Sequence, residues 1–161
     1  AGKAPPAEKA RVLSELGEME VSRIAMHPGS VQGFGQLGRD AVPTFLLPAN
    51  PVSALVVFEV MVRPLIRLSL GKRQPMRRVV QARALSPIES VAGRKGFLRG
   101  QLMRDQDTGE YLVQALGGAP GASSHLLATL AEANCLVVVP TEVDQVRTGE
   151  VVDVAFLAQR G

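Results

Sequence analysis

Beyond Gly71 the apolar residues of this chain leave a helical period and fall into short runs. Val79-Val80, Phe97-Leu98, Tyr111-Leu112-Val113, residues 136–139 and residues 151–157 are strand-like and separated by turn residues. Regularly spaced short strands of this kind build a small sandwich or a partly open barrel. Asp105-Gln106-Asp107-Thr108-Gly109 reads as a hairpin turn between 100–104 and 110–115, with Gly109 able to take a positive φ. Residues 117–124 read as a small-residue loop and residues 126–133 as one or two helical turns.

Before Gly71 the texture is mixed. Ala10, Val12, Leu13 and Leu16 have helical spacing, so a short helix over 8–16 is expected, with Gly17 as its stop. Residues 19–26 alternate imperfectly, as a strand does, and Pro28-Gly29 breaks it. Gly33, Gly35 and Gly38 loosen the next segment, and residues 44–47 read as a short buried strand. Asn50 is a favoured N-cap and Pro51 suits the first helical position, so a helix should run to about Leu70. Val52, Leu55, Val56, Val60 and Val62 make it apolar on most sides, hence buried; Pro64 should bend it and Gly71 end it.

The boundary between the two textures falls near 71–76. Two short strands and two helices do not close an α/β domain, so residues 1–71 read as the end of a larger α/β unit. Missing partners would leave apolar surface for a second copy or a complementary chain. The chain opens Ala-Gly-Lys-Ala-Pro-Pro, without methionine or an apolar leader, which reads as a processed or excised boundary.

Composition excludes several classes. At 161 residues and 46% hydrophobic content, disorder is not expected. The apolar stretch 52–62 contains Glu59 and is too short to span a bilayer, so no membrane integration is expected. One cysteine, Cys135, forms no internal disulfide and places the chain in a reducing, cytoplasmic setting. Two histidines and one cysteine build no zinc cluster. The net charge of +3 conceals segregation: residues 72–104 carry nine basic side chains against Glu89 alone, and residues 105–161 carry eight acidic against two basic. Such blocks either pair within one sheet or mark an anion site. Sheet pairing is the main reading, leaving Arg94, Lys95 and Arg99 as candidates for the rim of an anion site. A nucleic-acid surface of Arg73, Arg77, Arg78, Arg83, Arg94, Lys95 and Arg99 is disfavoured, because aromatic stacking residues are scarce there.

Three elements carry candidate chemistry. Leu47-Pro48-Ala49-Asn50-Pro51-Val52-Ser53 is a strand, a constrained turn and a helix start; it is either an ordinary βα junction or an anion site on free N–H groups. His27-Pro28-Gly29-Ser30-Val31-Gln32-Gly33-Phe34-Gly35 is a turn at a strand end, where ligands gather in open α/β sheets. Its Gly-Phe-Gly lacks the full dinucleotide fingerprint, and His27 is either a loop histidine or a catalyst. Ser124-His125 lacks a third triad member and fits an anion-binding loop better than a nucleophile.

Together these elements resemble one family, the molybdopterin molybdenumtransferases of the MoeA and gephyrin type. The resemblance runs in order from Val12-Leu13-Ser14-Glu15-Leu16-Gly17 through residues 21–35 to Leu47-Pro48-Ala49-Asn50-Pro51-Val52-Ser53, close to the family's Leu-Pro-Gly-Asn-Pro-Val-Ser. Phe58-Glu59 through Arg63-Pro64 fits the helix after it, and Phe97-Leu98-Arg99-Gly100, Ser124-His125 and Ala133-Asn134 come next in order. The resemblance implies that residues 1–71 are the C-terminal part of a three-layer α/β molybdopterin-binding domain. Residues 72–161 would be a small C-terminal β-barrel domain.

It further implies insertion of molybdate into adenylylated molybdopterin, magnesium as cofactor, and a homodimer with its site between subunits. The substrate-binding candidates are then His27, Pro28, Gly29, Ser30, Pro48, Asn50, Pro51, Ser53, Ser124 and His125. No catalytic residue is assigned and no metal ligand is expected in this chain, since the family's metal-binding aspartates have no counterpart in it. The chain departs from the family where the two lysines of Lys-Pro-Gly-Lys-Pro are His27 and Ser30, its last proline is Val31, and a glycine is Ala49. The alternative is therefore a divergent paralogue or non-catalytic scaffold that keeps the fold and dimer surface.

Overall fold

Alternation in the second half of the chain closes a sheet on itself. The computed structural model describes residues 11–117 and 132–157. Its first strands are β1 (Gly17–Arg23), β2 (Met26–His27), β3 (Val31–Leu37) and β4 (Val42–Leu46). A helical stretch comes next: α1 (Pro51–Val57), a π-helical turn (Phe58–Val62) and α2 (Arg63–Ser69). Then come β5 (Val79–Ala84), β6 (Ile88–Glu89), β7 (Lys95–Arg104), β8 (Tyr111–Ala115), β9 (Cys135–Val139), β10 (Gln145–Val146) and β11 (Val151–Phe156).

Five of these strands form a ring in the order β7-β8-β5-β11-β9, closed by pairing of β9 back onto β7. The long strand β7 makes closure possible. Its first half pairs with β9 and its second half with β8, and Gly100 belongs to both ladders, opposite Cys135 and Ala115. A Cβ on Gly100 would lie 3.0 Å from the Cys135 sulfur and 3.1 Å from Val137, so the strand turns where it has no side chain. Alternate residues point inward: Ala82 and Ala84, Val152 and Val154, Cys135, Val137 and Val139. Valine and alanine dominate because a five-stranded barrel leaves little room inside. Burial pushes the Cys135 thiol up to about 12, so it serves as a small apolar side chain. Asn134 extends β9 with its carboxamide, which accepts from the Leu102 N–H at 2.7 Å and donates to the Leu102 carbonyl at 3.0 Å. The 105–109 turn is as expected: Asp105 accepts from the N–H groups of Asp107 and Thr108, and Gly109 has φ of +72°.

The first part of the chain builds an antiparallel sheet in the order β1-β3-β4. Four local expectations change. Residues 11–13 are helical, but Gly17 begins β1 rather than stopping a helix; a Cβ there would collide with the Gln36 carbonyl oxygen. The glycine-rich run is not loosened but is the central strand β3, with Gly33 and Gly35 admitting close neighbours. Residues 44–46 do lie in a strand, β4, but it is an edge strand and they are half-buried rather than buried. The helix is not buried on most sides: Val56, Val57 and Pro64 are buried, while Leu65, Ile66 and Leu68 stay about half exposed. One face meets Met26, Phe97, Leu136, Ala155 and Leu157.

Pro64 leaves its mark on the turn before it. Lacking an N–H, it cannot bond the carbonyl four residues earlier, and the helix widens: the Arg63 N–H donates to Phe58, five residues back. Gly71, at φ of +71°, ends the stretch, with Gly71 N–H on Leu68 and Lys72 N–H on Arg67. The charge blocks pair less than expected. Among the described residues one ion pair joins them, Arg83 to Glu110 at 2.7 Å. Arg77 turns instead to Glu59 on the helix, with contacts of 2.9 and 3.1 Å. Opposite sign in neighbouring blocks does not set which side chains face each other across a barrel.

Candidate anion-binding site

The helix start and the turn after β2, 20 residues apart in sequence, meet in space. The His27–Pro28 peptide is cis and Gly29 has φ of +94°. A Cβ on Gly29 would lie 2.5 Å from Val57 Cγ2 and 3.5 Å from the Ser53 carbonyl oxygen, so the turn rests on the first two turns of α1. Positive φ and this contact each require glycine. Below the turn, the buried Gln32 donates through Nε2 to the Gly29 carbonyl at 2.9 Å, and the Ile24 N–H donates to the Ser30 carbonyl at 2.7 Å. Gln32 was not legible as a site residue, because nothing in a glycine-rich strand marks one polar side chain as inward.

The helix start differs in kind from a bare anion cradle. Pro51 has no N–H, Asn50 Oδ1 accepts from Val52 at 3.0 Å and Ser53 at 3.2 Å, and the Ala54 N–H bonds the Asn50 carbonyl. The first-turn N–H groups are thus already used. With Oδ1 turned inward, the Asn50 carboxamide presents its NH2, which has no partner among the described residues, and the Ser53 and Ser30 hydroxyls are likewise unpaired there. Replacing the cap, Asn50→Ala, is expected to cost about 1 kcal/mol, read as a lower thermal midpoint.

Pro48, half-buried, and Pro51 hold the strand-to-helix turn on either side of the cap. Ser124 and His125 lie outside the described residues. His27 is half-buried, and burial first, then the charge of Arg94, holds its imidazole below the ordinary 6.5. It is therefore neutral at pH 7. The unfolded chain takes up a proton that the folded chain refuses, so this contribution is present above about 6.5 and lost as pH falls. A His27→Gln variant should show a flatter stability profile between pH 7 and 5 in urea titrations.

Three of the remaining basic candidates are engaged singly. Arg83 meets Glu110, Arg78 lies 5.9 Å from the Phe156 ring centre, and Arg99 is buried on β7 with its carbonyl accepting from Leu116. Among the described residues no three of His, Cys, Asp and Glu gather as a metal site. The described residues thus offer no carboxylate cluster that fits magnesium. No described helix is long and apolar enough to cross a membrane.

Known proteins of one kind match this chain. The family model described as MoeA C-terminal region (domain IV) matches residues 81–157. Molybdopterin molybdenumtransferase 1 of Mycobacterium tuberculosis is 89% identical over 93% of this chain and 35% of its own length. Molybdopterin molybdenumtransferase 2 of the same organism is 37% identical over 81% of this chain and 30% of its own length. A crystal structure of the molybdopterin biosynthesis MoeA protein from Pyrococcus horikosii superposes with a TM-score of 0.74 at 30% identity, covering 93% of this chain and 34% of that one. The chain thus spans about a third of the length of the relatives it matches. With residues 81–157 matched to the MoeA C-terminal region and 93% of its length aligned with Molybdopterin molybdenumtransferase 1, the chain belongs to the molybdopterin molybdenumtransferase family, of which it carries a C-terminal part.

Proposed function

We propose that this chain is part of an enzyme of molybdenum cofactor biosynthesis that inserts molybdate into adenylylated molybdopterin. Residues 1–71 would be the C-terminal part of the molybdopterin-binding domain and residues 72–161 its barrel domain. The observation that carries the reading is the seating of the 27–30 turn on α1 at Val57 and the Ser53 carbonyl, which makes the segments bearing Ser30, Asn50 and Ser53 neighbours. Such donors suit a phosphate-bearing substrate. Pro28, Gly29, Pro48 and Pro51 fix the backbone that carries them, and neutral His27 offers one donor and one acceptor without charge.

The work of these residues is positioning: they hold the substrate's anionic end while the reacting atoms meet elsewhere in the protein. Magnesium, expected from the resemblance, would be held by residues outside the described ones. A cytoplasmic homodimer is part of the same reading. The apolar groove between β4 and α2, lined by Pro43, Phe45, Leu65, Ile66 and Leu70, is the surface that needs cover.

A scaffold that kept the fold without the chemistry is the competing reading, favoured by the uncharged pair His27 and Ser30 at the family's lysine positions. Complementation separates the two. Full-length protein containing this chain should restore molybdoenzyme activity to a strain lacking the transferase, and Asn50→Ala with Ser53→Ala should reduce the rescue at least tenfold. No rescue by the unaltered protein would support the scaffold.

A further inference from the structure

We propose that Arg94 supplies the fixed positive charge of this site, binding a tetrahedral oxyanion such as a phosphate group or molybdate from the barrel side. The inference rests on the reading of the 27–30 turn as an anion site. β2 pairs in parallel with the start of β7, Met26 opposite Lys95 and His27 opposite Gly96, and the Lys95 N–H donates to Ala25 at 2.9 Å. These contacts bring the turn before β7 against the turn after β2. The delivering segment is braced: Gly93 has φ of +80° and donates to the Thr141 carbonyl at 2.8 Å, and the Arg94 N–H bonds Val91 at 3.1 Å. Arg94 is thus placed by backbone bonds that owe nothing to its own side chain.

That side chain is half-buried and has no hydrogen bond or ion pair among the described residues, where the ion-paired cations are Arg63, Arg77 and Arg83. A half-buried guanidinium without a carboxylate bears a desolvation cost that a bound anion would offset. The bracing segment carries Glu142 and Asp144, and neither forms an ion pair with Arg94. Lys95, the next residue, leans over the Phe97 ring at 5.9 Å, and His27 is kept neutral by burial and by Arg94, with no carboxylate acting on it. Ser30, Asn50 and Ser53 contribute donors without charge, so Arg94 decides between an anion and a neutral ligand.

The test is titration of the chain with inorganic phosphate, and separately with molybdate, at pH 7.5, monitored by NMR of the His27 imidazole. Both should bind saturably and raise the His27 pKa, because a dianion cancels the charge that depresses it. The tighter of the two identifies the oxyanion preferred. Arg94→Gln should weaken binding about tenfold, the loss of one charge-assisted contact, and Arg94→Lys should restore most of it. An unchanged thermal midpoint shows that the fold is intact; should Arg94→Gln not fold, Arg94→Lys against Ser30→Ala decides. Wild-type affinity in Arg94→Gln together with weakened binding in Ser30→Ala and Ser53→Ala would overturn the role of Arg94 and leave the site standing. No saturable binding by the unaltered chain would overturn the site and the inference together.

Discussion

Replacing Glu59 by alanine is expected to remove about 3 kcal/mol of folding stability. Glu59 is 10% exposed and holds Arg77 through two contacts, with Arg63 at 3.8 Å on the same helix. It ties the helix to the segment that leads into β5, beside the Arg63 guanidinium that donates to the Pro75 carbonyl at 3.1 Å. Removing the carboxylate leaves two guanidinium groups close together and largely dry. Their mutual repulsion already acts on Arg63, whose pKa is lowered by burial first and by Arg77 next. In urea the midpoint should fall by about 1–3 M for a slope in the usual range. Glu59→Ala combined with Arg77→Met should recover much of the loss, since replacing both partners avoids an unpaired buried charge. A double variant no better than the single one would show that the pair does not act as a unit.

The second large effect is at Gly35→Ala, expected to cost about 3 kcal/mol. In β3 this residue lies between Met19 of β1 and Thr44 of β4. A Cβ would overlap the Glu18 carbonyl oxygen and come within 2.5 Å of the Met19 sulfur. Backbone cannot yield as a side chain does, so β1 must separate from β3. Amide exchange should then accelerate over residues 17–23 while β7, β9 and β11 keep their protection. Gly38→Ala serves as the contrast: its φ is +73° but nothing lies within 4 Å, so only conformational strain is incurred.

Gly35 also shows what sequence reading misses. Glycine weakens a strand on its own, so Gly33 and Gly35 read as loosening; the opposing backbone that makes them necessary is not encoded locally. The strands β5, β7, β8, β9 and β11 were legible as short apolar runs separated by turn residues. The residues alone left sandwich and barrel open and the resemblance implied the barrel; how it closes, with Gly100 serving two ladders at once, is not written in any one segment. The helix start was legible through Asn50 and Pro51, whose roles are local. That Asn50 would use up the N–H groups expected to hold an anion is fixed only by its rotamer. The 27–35 turn and the 47–53 helix start were read as separate motifs, and the contact of Gly29 with α1 is a long-range fact. Arg94 was legible as one of three candidates for the rim of an anion site, and the pairing of β2 with β7 is what sets its turn beside residues 27–30.

The central claim is that the 27–30 turn and the α1 start form one surface for the anionic end of a molybdopterin substrate. Calorimetric titration of adenylylated molybdopterin into the full-length protein, with and without Asn50→Ala plus Ser53→Ala, tests it most directly. The account predicts saturable binding that weakens at least tenfold in the double variant, with the thermal midpoint lowered only by the cost of the lost cap. Equal affinity in the two proteins would contradict it.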